Sequence, residues 1–452
     1  MLDKYLNLSG VLFYYLLHSG DLRSDMPNSL KRRHSRWYEV ILFSPLFQFF
    51  SGFFLVVLLP NWLRWGDVLL RWPLKATEFN TLLANSVAYL IAFFMLHKFK
   101  NFPGTRSLPF IIPTILIAWL IVFAALLFLR EENYARRVLI YAFILANMWA
   151  FFGFFLARRF SRPKLALVPF GRALELAGTP HAIITVLERS NLEGRRYDAI
   201  VADLHSEYLP DEWERFLANC TLARIPVFHT QQLIESITGR VKIDHLSENI
   251  FGSLLPSALY SGFKRFSEVC LVLLTSPVWL PVMLVVGLVI KIESPGSMFF
   301  IQERVGQGNK DFKVYKLRSM CQDSEKDGAQ FAKTNDMRIT RVGRFIRKTR
   351  LDEIPQFINV LKGDMSLIGP RPEQRAFVDQ FDNEIPFYSY RHVVRPGITG
   401  WAQVVHGYAA DADDTRVKIE HDFYYIKHFS LWLDILIVVK TIRTILTGFG
   451  AR

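Results

Sequence analysis

The sequence predicts a membrane protein in three parts: a helical transmembrane bundle over residues 1–160, a Rossmann-like α/β domain over 161–255, and a mixed α/β domain over 256–452. Three observations support this division. Four long apolar stretches lie before residue 160, short strand and helix patterns alternate up to residue 255, and a charged, glycine-rich region follows a further apolar stretch. That further stretch predicts a re-entrant membrane helix over 265–291, which would make the third part monotopic.

Composition excludes several classes of protein. The 452 residues include 54 Lys and Arg against 41 Asp and Glu, a net charge of +13, and 51% are hydrophobic. So much apolar surface excludes a disordered chain. Cys220, Cys270 and Cys321 show no pairing pattern and no metal-ligand spacing, which argues against a disulfide scaffold and a structural zinc site. A basic, apolar chain indicates a membrane protein that faces anionic lipids or substrates, and neither a nucleic acid partner nor a cleavable signal peptide is expected.

The four N-terminal apolar stretches predict transmembrane helices. They cover residues 40–59, 82–96, 108–129 and 138–156, close to the ~20 residues that a helix needs to cross the hydrocarbon core, although the second is short. Helices buried in a soluble domain would show a polar face, and these stretches show almost none. Trp62, Trp65 and Trp72 gather at one end of the first stretch, as interfacial aromatic residues do.

Lysine and arginine predict the orientation of this bundle. They are most frequent in the N-terminal segment, in the loop between the second and third stretches, and directly after the fourth stretch. Because cytoplasmic loops carry the excess of Lys and Arg, both ends of the bundle are expected to face the cytoplasm.

Residues 161–255 predict a small α/β domain. Strands are expected at 166–168, 199–201 and 226–229, and a helix at 211–220, whereas residues 183–187 fit either a strand or part of a helix. The glycine signature of a dinucleotide site is missing, since Gly171 stands nearly alone. We therefore interpret this domain as a structural or interaction module.

The apolar stretch at residues 269–290 is interrupted by Ser276-Pro277 and by Pro281. Proline removes a backbone donor and clashes with the preceding turn, so a sharp kink is expected near Ser276, whose hydroxyl can bond a freed carbonyl. Basic residues flank the stretch on both sides: Lys264, Arg265 and Lys291. This favours a hairpin with both ends on one face of the membrane. A kinked full crossing fits the hydropathy pattern equally well, and the chemistry predicted for the following residues favours re-entry.

A run of charged residues at 341–361 leads from several arginines into the adjacent carboxylates Asp352 and Glu353. Neighbouring side chains on a helix point about 100° apart, so this pair is suited to divided roles instead of sharing one proton. One carboxylate can attack phosphorus while the other holds Mg²⁺ against a diphosphate. An arbitrary Asp-Glu pair more often caps a helix and pairs with nearby arginines, so further signals are needed.

Three basic loops supply such signals, at residues 316–320, 363–372 and 391–403. Each of the last two is framed by glycine and proline, which holds an arginine in place. Planar guanidinium groups bind phosphate through two hydrogen bonds. Any one loop fits an ordinary surface turn, but three together predict a site for a ligand with two phosphates. The candidate phosphate-binding residues are Lys316, Arg318, Pro370, Arg371, Pro372 and Arg395.

From residue 264 onward the sequence resembles the catalytic domain of the monotopic phosphoglycosyl transferases, also called bacterial sugar transferases. The resemblance lies in motifs that occur in order and at close spacing: KR at 264–265, SP at 276–277, SPG at 294–296, KLRSM at 316–320, LDEIPQ at 351–356, GDMSLIGPRP at 363–372, RPGITGWAQ at 395–403 and DFYY at 422–425. The preceding bundle and Rossmann-like domain are similar to the large members of the family, which start exopolysaccharide, capsule or O-antigen synthesis.

This resemblance implies transfer of a sugar 1-phosphate from a UDP-sugar to undecaprenyl phosphate, with release of UMP. It implies that Asp352 forms a covalent phosphosugar intermediate and that Glu353 holds Mg²⁺. It also implies that Arg371, its flanking prolines and Arg395 form a phosphate-binding wall, and that Ser276-Pro277 shapes a re-entrant hairpin in the lipid bilayer. The implied location is the bacterial inner membrane, with a multi-pass bundle and a cytoplasmic catalytic domain. For residues 1–255 a dimerising or regulatory role is expected, and a dimerising role would make the protein a homodimer.

The sequence departs from the family pattern at four places. Glu268 stands where Asp is usual, Arg350 where Ser or Thr precedes Leu-Asp-Glu, Met337 where Pro is common, and residues 404–407 are one residue longer than usual. None removes a charge that the chemistry needs. Two alternatives stay open: direct transfer in a ternary complex, with both carboxylates holding Mg²⁺, and a non-catalytic membrane scaffold of polysaccharide assembly. The sequence does not identify the sugar.

Overall fold

The computed structural model describes residues 41–42, 44–70, 73–99, 102–103, 110–160, 164–176, 183–204, 206, 209–242, 255–321, 338–406 and 412–447. The chain divides into two compact units, Met1–Gly239 and Arg240–Arg452. Several residues used in the predictions lie outside the described residues: the basic residues before residue 41, those at 100, 106 and 162, and Trp72, Met337 and Gly407.

Apolar helices build the first part of the N-terminal unit, as predicted. A π-helical turn, Phe54–Leu58, joins the first two of them into a single candidate span. The second predicted stretch is longer than expected because polar residues continue the helix towards its N-terminus, where the Thr81 hydroxyl donates to the Thr77 carbonyl (2.6 Å). The helices are α1 (Pro45–Phe53), α2 (Leu59–Trp65), α3 (Ala76–Phe99), α4 (Ile111–Phe128) and α5 (Arg136–Phe160).

A four-stranded parallel sheet follows the helices. The strand order is β2-β1-β3-β4, with β1 at Lys164–Leu167, β2 at Ile183–Val186, β3 at Ala199–Ala202 and β4 at Val227–His229. The ambiguous segment at 183–187 is thus a strand. Side chains alternate between the two faces: Ala166 and Ile200 pack with Trp213 of α6 (Asp211–Leu222), and Leu165 and Val201 pack with Leu233 of α7 (Thr230–Thr238). The predicted α/β region with a parallel sheet is therefore confirmed.

In the C-terminal unit the apolar stretch forms two helices with a break at Thr275. These are α8 (Ala258–Leu274) and α9 (Ser276–Glu293). As predicted, the Ser276 hydroxyl bonds a carbonyl at the break, that of Leu273 at 2.7 Å. With α9, five segments in the described residues are long and apolar enough to cross a membrane.

The rest of this unit surrounds a mixed core. An antiparallel hairpin, β5 (Phe299–Val305) and β6 (Asp311–Leu317), and a short parallel pair, β7 (Ser366–Ile368) and β8 (Gly397–Thr399), pack with helices from both ends of the unit. The remaining helices are α10 (Arg341–Thr349), α11 (Gln356–Lys362), α12 (Arg375–Glu384), α13 (Trp401–Val405), α14 (Ala412–Lys427) and α15 (Leu431–Thr447).

Candidate active site

The two predicted carboxylates lie in a tight turn between α10 and α11. Helix α10 ends at Arg350, which adopts a left-handed conformation with φ of 60°. A single 3₁₀ turn, Leu351–Glu353, then carries Asp352 and Glu353, and α11 begins directly after Pro355. Because the chain changes direction at Arg350, the two carboxylates lie at a junction of two helices and not along one helix.

Strand β6 anchors both flanking helices. Asn359 in α11 accepts a hydrogen bond from the Tyr315 amide (3.1 Å) and donates to the Lys313 carbonyl (2.6 Å). On the other side, a side chain at Gly343 of α10 would collide with the Ser319 carbonyl, so only glycine permits this close approach. The turn is thereby held against the strand that carries Lys316.

Glu353 is buried and ionised. Its Oε1 accepts a 3.2 Å hydrogen bond from Nη1 of Arg371, and Nη1 of Arg350 lies 3.6 Å from the same oxygen. Burial alone would raise the pKa of this carboxyl group, but Arg371, Lys316 and Arg350 together hold it below its usual value. Both contacts involve Oε1. Within the described residues nothing bonds Oε2.

Asp352 lies in a different electrostatic environment. Its Oδ1 is buried and has no hydrogen-bond partner among the described residues. Burial and the adjacent Glu353 charge raise the pKa of Asp352 to about 6, against the opposing effect of Lys316 and Arg350. A buried carboxylate oxygen without a donor is costly in a folded protein and is typical of a functional site.

Lys316 lies beside both carboxylates. Burial and the neighbouring Arg371 lower the pKa of its ammonium group to about 8, while Glu353 and Asp352 oppose the shift. The structure therefore brings together four predicted residues, Asp352, Glu353, Lys316 and Arg371, and with Arg350 beside Glu353 the pocket has excess positive charge. Such a pocket suits the phosphates of a substrate.

Hydrogen bonds to the two prolines beside Arg371 fix the loop that carries this residue. The Pro370 carbonyl accepts from the Gly397 amide (2.9 Å), and the Pro372 carbonyl accepts from Nη1 of Arg304 (3.1 Å). Arg391, to which the sequence motifs assigned no role, also supports this loop. Its Nη2 donates to the Arg371 carbonyl and to Oδ2 of Asp422, each at 2.8 Å. Arg391 was visible only as a member of the RHVVRPG loop, and the pattern does not show that it turns inward.

Two predicted phosphate-binding residues also bind backbone carbonyls. Arg318 donates to the carbonyls of Pro295 (2.7 Å) and Ser294 (2.8 Å), just after α9. Arg395 donates through Nε to the Gly363 carbonyl (3.1 Å) at the C-terminal end of α11. These contacts satisfy carbonyls that would otherwise lack donors, and the phosphate-binding role of Arg318 and Arg395 stays a prediction.

An apolar groove adjoins the carboxylate turn. It has a volume of about 420 Å³ and lies between α8 and α15, with Phe263, Leu271 and Val438 among its lining residues. Arg350 and Glu353 line the groove, whereas Lys316 and Arg371 do not. Sequence analysis did not predict this groove.

The carboxylates have the chemistry of a magnesium site. Mg²⁺ prefers oxygen ligands and is often held by one or two carboxylates together with substrate phosphates. Glu353 Oε2 and the buried Asp352 Oδ1 have no protein donor among the described residues. No cluster of three or more ligating side chains occurs in that part of the chain, so any metal here would depend on substrate oxygens.

Comparisons with known proteins agree with this chemistry. Residues 259–448 match the model of the bacterial sugar transferase family. The chain is 56% identical over 424 residues to a UDP-N-acetylgalactosamine-undecaprenyl-phosphate N-acetylgalactosaminephosphotransferase of Aeromonas hydrophila, which covers 94% of this chain and 100% of the relative.

Two further relatives match the C-terminal part. A UDP-glucose:undecaprenyl-phosphate glucose-1-phosphate transferase of Caulobacter vibrioides is 42% identical over 44% of this chain and 76% of its own. Its namesake in Escherichia coli is 43% identical over 40% of this chain and 39% of its own. The carboxylate turn, its basic pocket and the similarity over nearly the whole chain lead to one conclusion: the protein belongs to the bacterial sugar transferase family.

Proposed function

We propose that this protein transfers a sugar 1-phosphate from a UDP-sugar to undecaprenyl phosphate and releases UMP, the first step of exopolysaccharide, capsule or O-antigen synthesis. The observation that carries the proposal is the unpartnered Oδ1 of Asp352, held beside Glu353, Lys316 and Arg371. Those groups supply a nucleophile and the positive charge that two phosphates require. The sugar we propose is N-acetylgalactosamine, since the Aeromonas relative named for it is similar over 94% of this chain.

In the first step Asp352 attacks the sugar-bearing phosphorus. A bond forms between a carboxylate oxygen and phosphorus, and the bond from phosphorus to the bridging diphosphate oxygen breaks, so UMP leaves with the electron pair. Lys316 and Arg371 neutralise the charge that develops on the phosphate oxygens. Because Arg371 is fixed through Arg391 and two prolines, little reorganisation is needed during the reaction.

In the second step the terminal phosphate of the lipid acceptor attacks the same phosphorus. The bond from phosphorus to the Asp352 oxygen breaks and regenerates the carboxylate, and the product is a lipid-linked diphosphosugar. Glu353 stays ionised throughout, because its pKa is held low by Arg371, Lys316 and Arg350.

Mg²⁺ is part of the proposal. Glu353 would hold it through Oε2, together with phosphate oxygens of the nucleotide, and the ion would neutralise diphosphate charge. The affinity for the ion is therefore expected to rise when UDP-sugar is bound, because the protein supplies few of the ligands itself.

The proposed location follows from the lipid substrate. We propose that α8 and α9 form a re-entrant hairpin at the break near Thr275, in the inner membrane, with the catalytic domain 256–452 on the cytoplasmic side. Residues 1–160 would anchor the chain, and the Rossmann-like domain 161–255 would serve interaction or regulation. Cysteines placed at Phe263 and Ile292 are expected to react with an impermeant reagent from the same side; labelling from opposite sides would indicate a full crossing instead.

Kinetics test the proposed reaction. Purified full-length protein with UDP-sugars, Mg²⁺ and polyprenyl phosphate is expected to release UMP, most rapidly with UDP-N-acetylgalactosamine. Parallel double-reciprocal lines support the covalent route, and intersecting lines would support direct transfer in a ternary complex. Absence of UMP release with every UDP-sugar would favour a non-catalytic scaffold.

A further inference from the structure

The groove between α8 and α15 is built to take an apolar chain. Its volume of about 420 Å³ falls in the range of about 300–1,000 Å³ that is common for ligand sites. Phe263 and Leu271 from α8, Phe357 from α11 and Val438 from α15 give it mainly apolar walls. A water-filled groove with such walls is unfavourable, so an apolar ligand gains from entering it.

The groove also meets the apolar surface of α8. Phe263 and Leu271 line the groove and are 55% and 50% exposed, and Phe266 on the same helix is 71% exposed. An apolar chain can therefore pass from the surface of α8 into the groove without crossing a polar barrier.

Two cationic side chains line the groove, and they differ in their surroundings. Lys264 is buried in its wall, where Nζ lies 2.5 Å from Oδ2 of Asp434 and 3.2 Å from Oε1 of Glu268. Arg350 lies at the carboxylate turn, has a side chain that is 38% exposed, and contacts Glu353 at 3.6 Å. Arg350 is thus the cation placed between the apolar groove and the reacting carboxylates.

The three cations around Glu353 differ in whether they line the groove. Lys316 and Arg371 do not line it, whereas Arg350 does. Arg350 is therefore the one of these three cations that a ligand in the groove meets. In the second step the acceptor phosphate attacks the phosphorus held on Asp352, so a cation that lines the groove and contacts Glu353 is placed to bind that phosphate.

We propose that the groove holds the isoprenoid chain of the lipid acceptor and that Arg350 binds its terminal phosphate, while Lys316 and Arg371 hold the nucleotide sugar. This assignment rests on the proposed function and divides its site between the two substrates. Arg350 stands where Ser or Thr is usual in the family, so the device is not expected in members that keep Ser or Thr.

Separate half-reactions test the role of Arg350. Full-length protein is reconstituted in lipid nanodiscs, and each half-reaction is measured separately. In Arg350→Gln, the KM for polyprenyl phosphate is expected to rise about 10- to 100-fold, the range for loss of a charged hydrogen bond, whereas the KM for UDP-sugar is expected to change little. Arg350→Lys restores part of the affinity.

Arg344→Gln is the matched control. It removes the same charge from the exposed side of α10, away from the groove, and neither half-reaction is expected to change. An unchanged KM for polyprenyl phosphate in Arg350→Gln would overturn the proposal. So would an equal rise in the KM for UDP-sugar, because Arg350 would then serve the donor. If the unmodified protein released no UMP, the proposed function itself would fail.

A second pair of variants tests the groove independently of charge. Val438→Trp fills the groove, and Ile442→Trp places the same side chain on α15 at a residue that does not line it. Val438→Trp is expected to raise the KM for a long-chain acceptor more than for a short-chain isoprenoid phosphate, with Ile442→Trp unaffected. Equal effects on both acceptors, or displacement of a co-purified phospholipid without a change in KM, would overturn the assignment of the groove.

Discussion

Nη1 of Arg371 donates a 3.2 Å hydrogen bond to Oε1 of Glu353, and this contact joins the phosphate loop to the carboxylate turn. The two residues are 18 positions apart in the sequence, and each is fixed by a different set of neighbours. The same guanidinium group therefore keeps Glu353 ionised, and in the proposed reaction it would also neutralise the phosphate charge that develops.

Replacing Arg371 tests this dual role. In Arg371→Lys the charge is retained but the planar donor geometry is lost, so kcat/KM for UDP-sugar is expected to fall by roughly 10²–10³. Steady-state UMP release measures the effect. Arg375→Lys is the control, because Arg375 pairs with Asp311 (2.8 Å) on the exposed side of α12. Equal loss in both variants would show that Arg371 has no special role.

The pH dependence of kcat/KM is expected to be bell-shaped. Asp352 must be ionised to attack phosphorus, and its raised pKa of about 6 predicts that activity falls as the pH drops through that value. Lys316 must be charged to bind phosphate, and its lowered pKa of about 8 predicts a second decline as the pH rises through it. The rate of UMP release across the pH range gives both limbs.

Two variants test which residue causes each limb of the pH profile. Lys316→Arg stays charged at high pH, so the basic limb should disappear. Arg347 lowers the pKa of Asp352, so Arg347→Gln should move the acid limb to higher pH. A profile that keeps its basic limb in Lys316→Arg contradicts the assignment to Lys316.

Arg395 is expected to govern stability more than substrate binding. Its hydrogen bond to the Gly363 carbonyl, with those of Arg265 to the carbonyls of Val360 and Leu361, satisfies the C-terminal end of α11. Loss of one such charged hydrogen bond in Arg395→Ala should lower the free energy of unfolding by about 1–3 kcal/mol. Thermal unfolding in detergent measures this. A raised KM for UDP-sugar with unchanged stability would restore the phosphate-binding role predicted from sequence.

Asp434 holds a buried network under the groove. It accepts from Lys264 and Tyr260 (2.5 Å each) and from Tyr425 (2.8 Å). Asp434→Ala leaves the Lys264 charge poorly compensated, so a loss of about 3–5 kcal/mol in the free energy of unfolding is expected. Asp414→Ala, in the more exposed part of α14, should change little. A small effect at Asp434 would mean that Glu268 alone compensates Lys264.

The sequence alone was sufficient where the relevant signal is local. Asp352 and Glu353 stand next to each other, and Arg371 stands between two prolines, so their motifs predict that they share one site, and the structure brings Arg371 and Glu353 into contact. The chemistry assigned to them stays a prediction. Likewise Ser276-Pro277 predicted the helix break, because proline acts on its own turn.

Local signals do not reveal contacts between residues that are distant in the sequence. The motifs predict a phosphate-binding role for Arg318 and Arg395, but only the fold shows which backbone carbonyls these residues contact. The groove was not predicted because its walls come from α8 and α15, which are joined by a hydrogen bond between residues 174 positions apart. The sequence shows Arg350 only as a departure from the family pattern, because its position beside the groove depends on the same contact between distant helices.

The covalent role of Asp352 is tested most directly by intact-mass analysis after incubation with UDP-sugar and Mg²⁺ in the absence of acceptor. The protein is expected to gain the mass of one sugar 1-phosphate group and to lose it when polyprenyl phosphate is added, and Asp352→Asn is expected to gain none. A preparation that turns over at full rate while its polypeptide stays unmodified would contradict the covalent role.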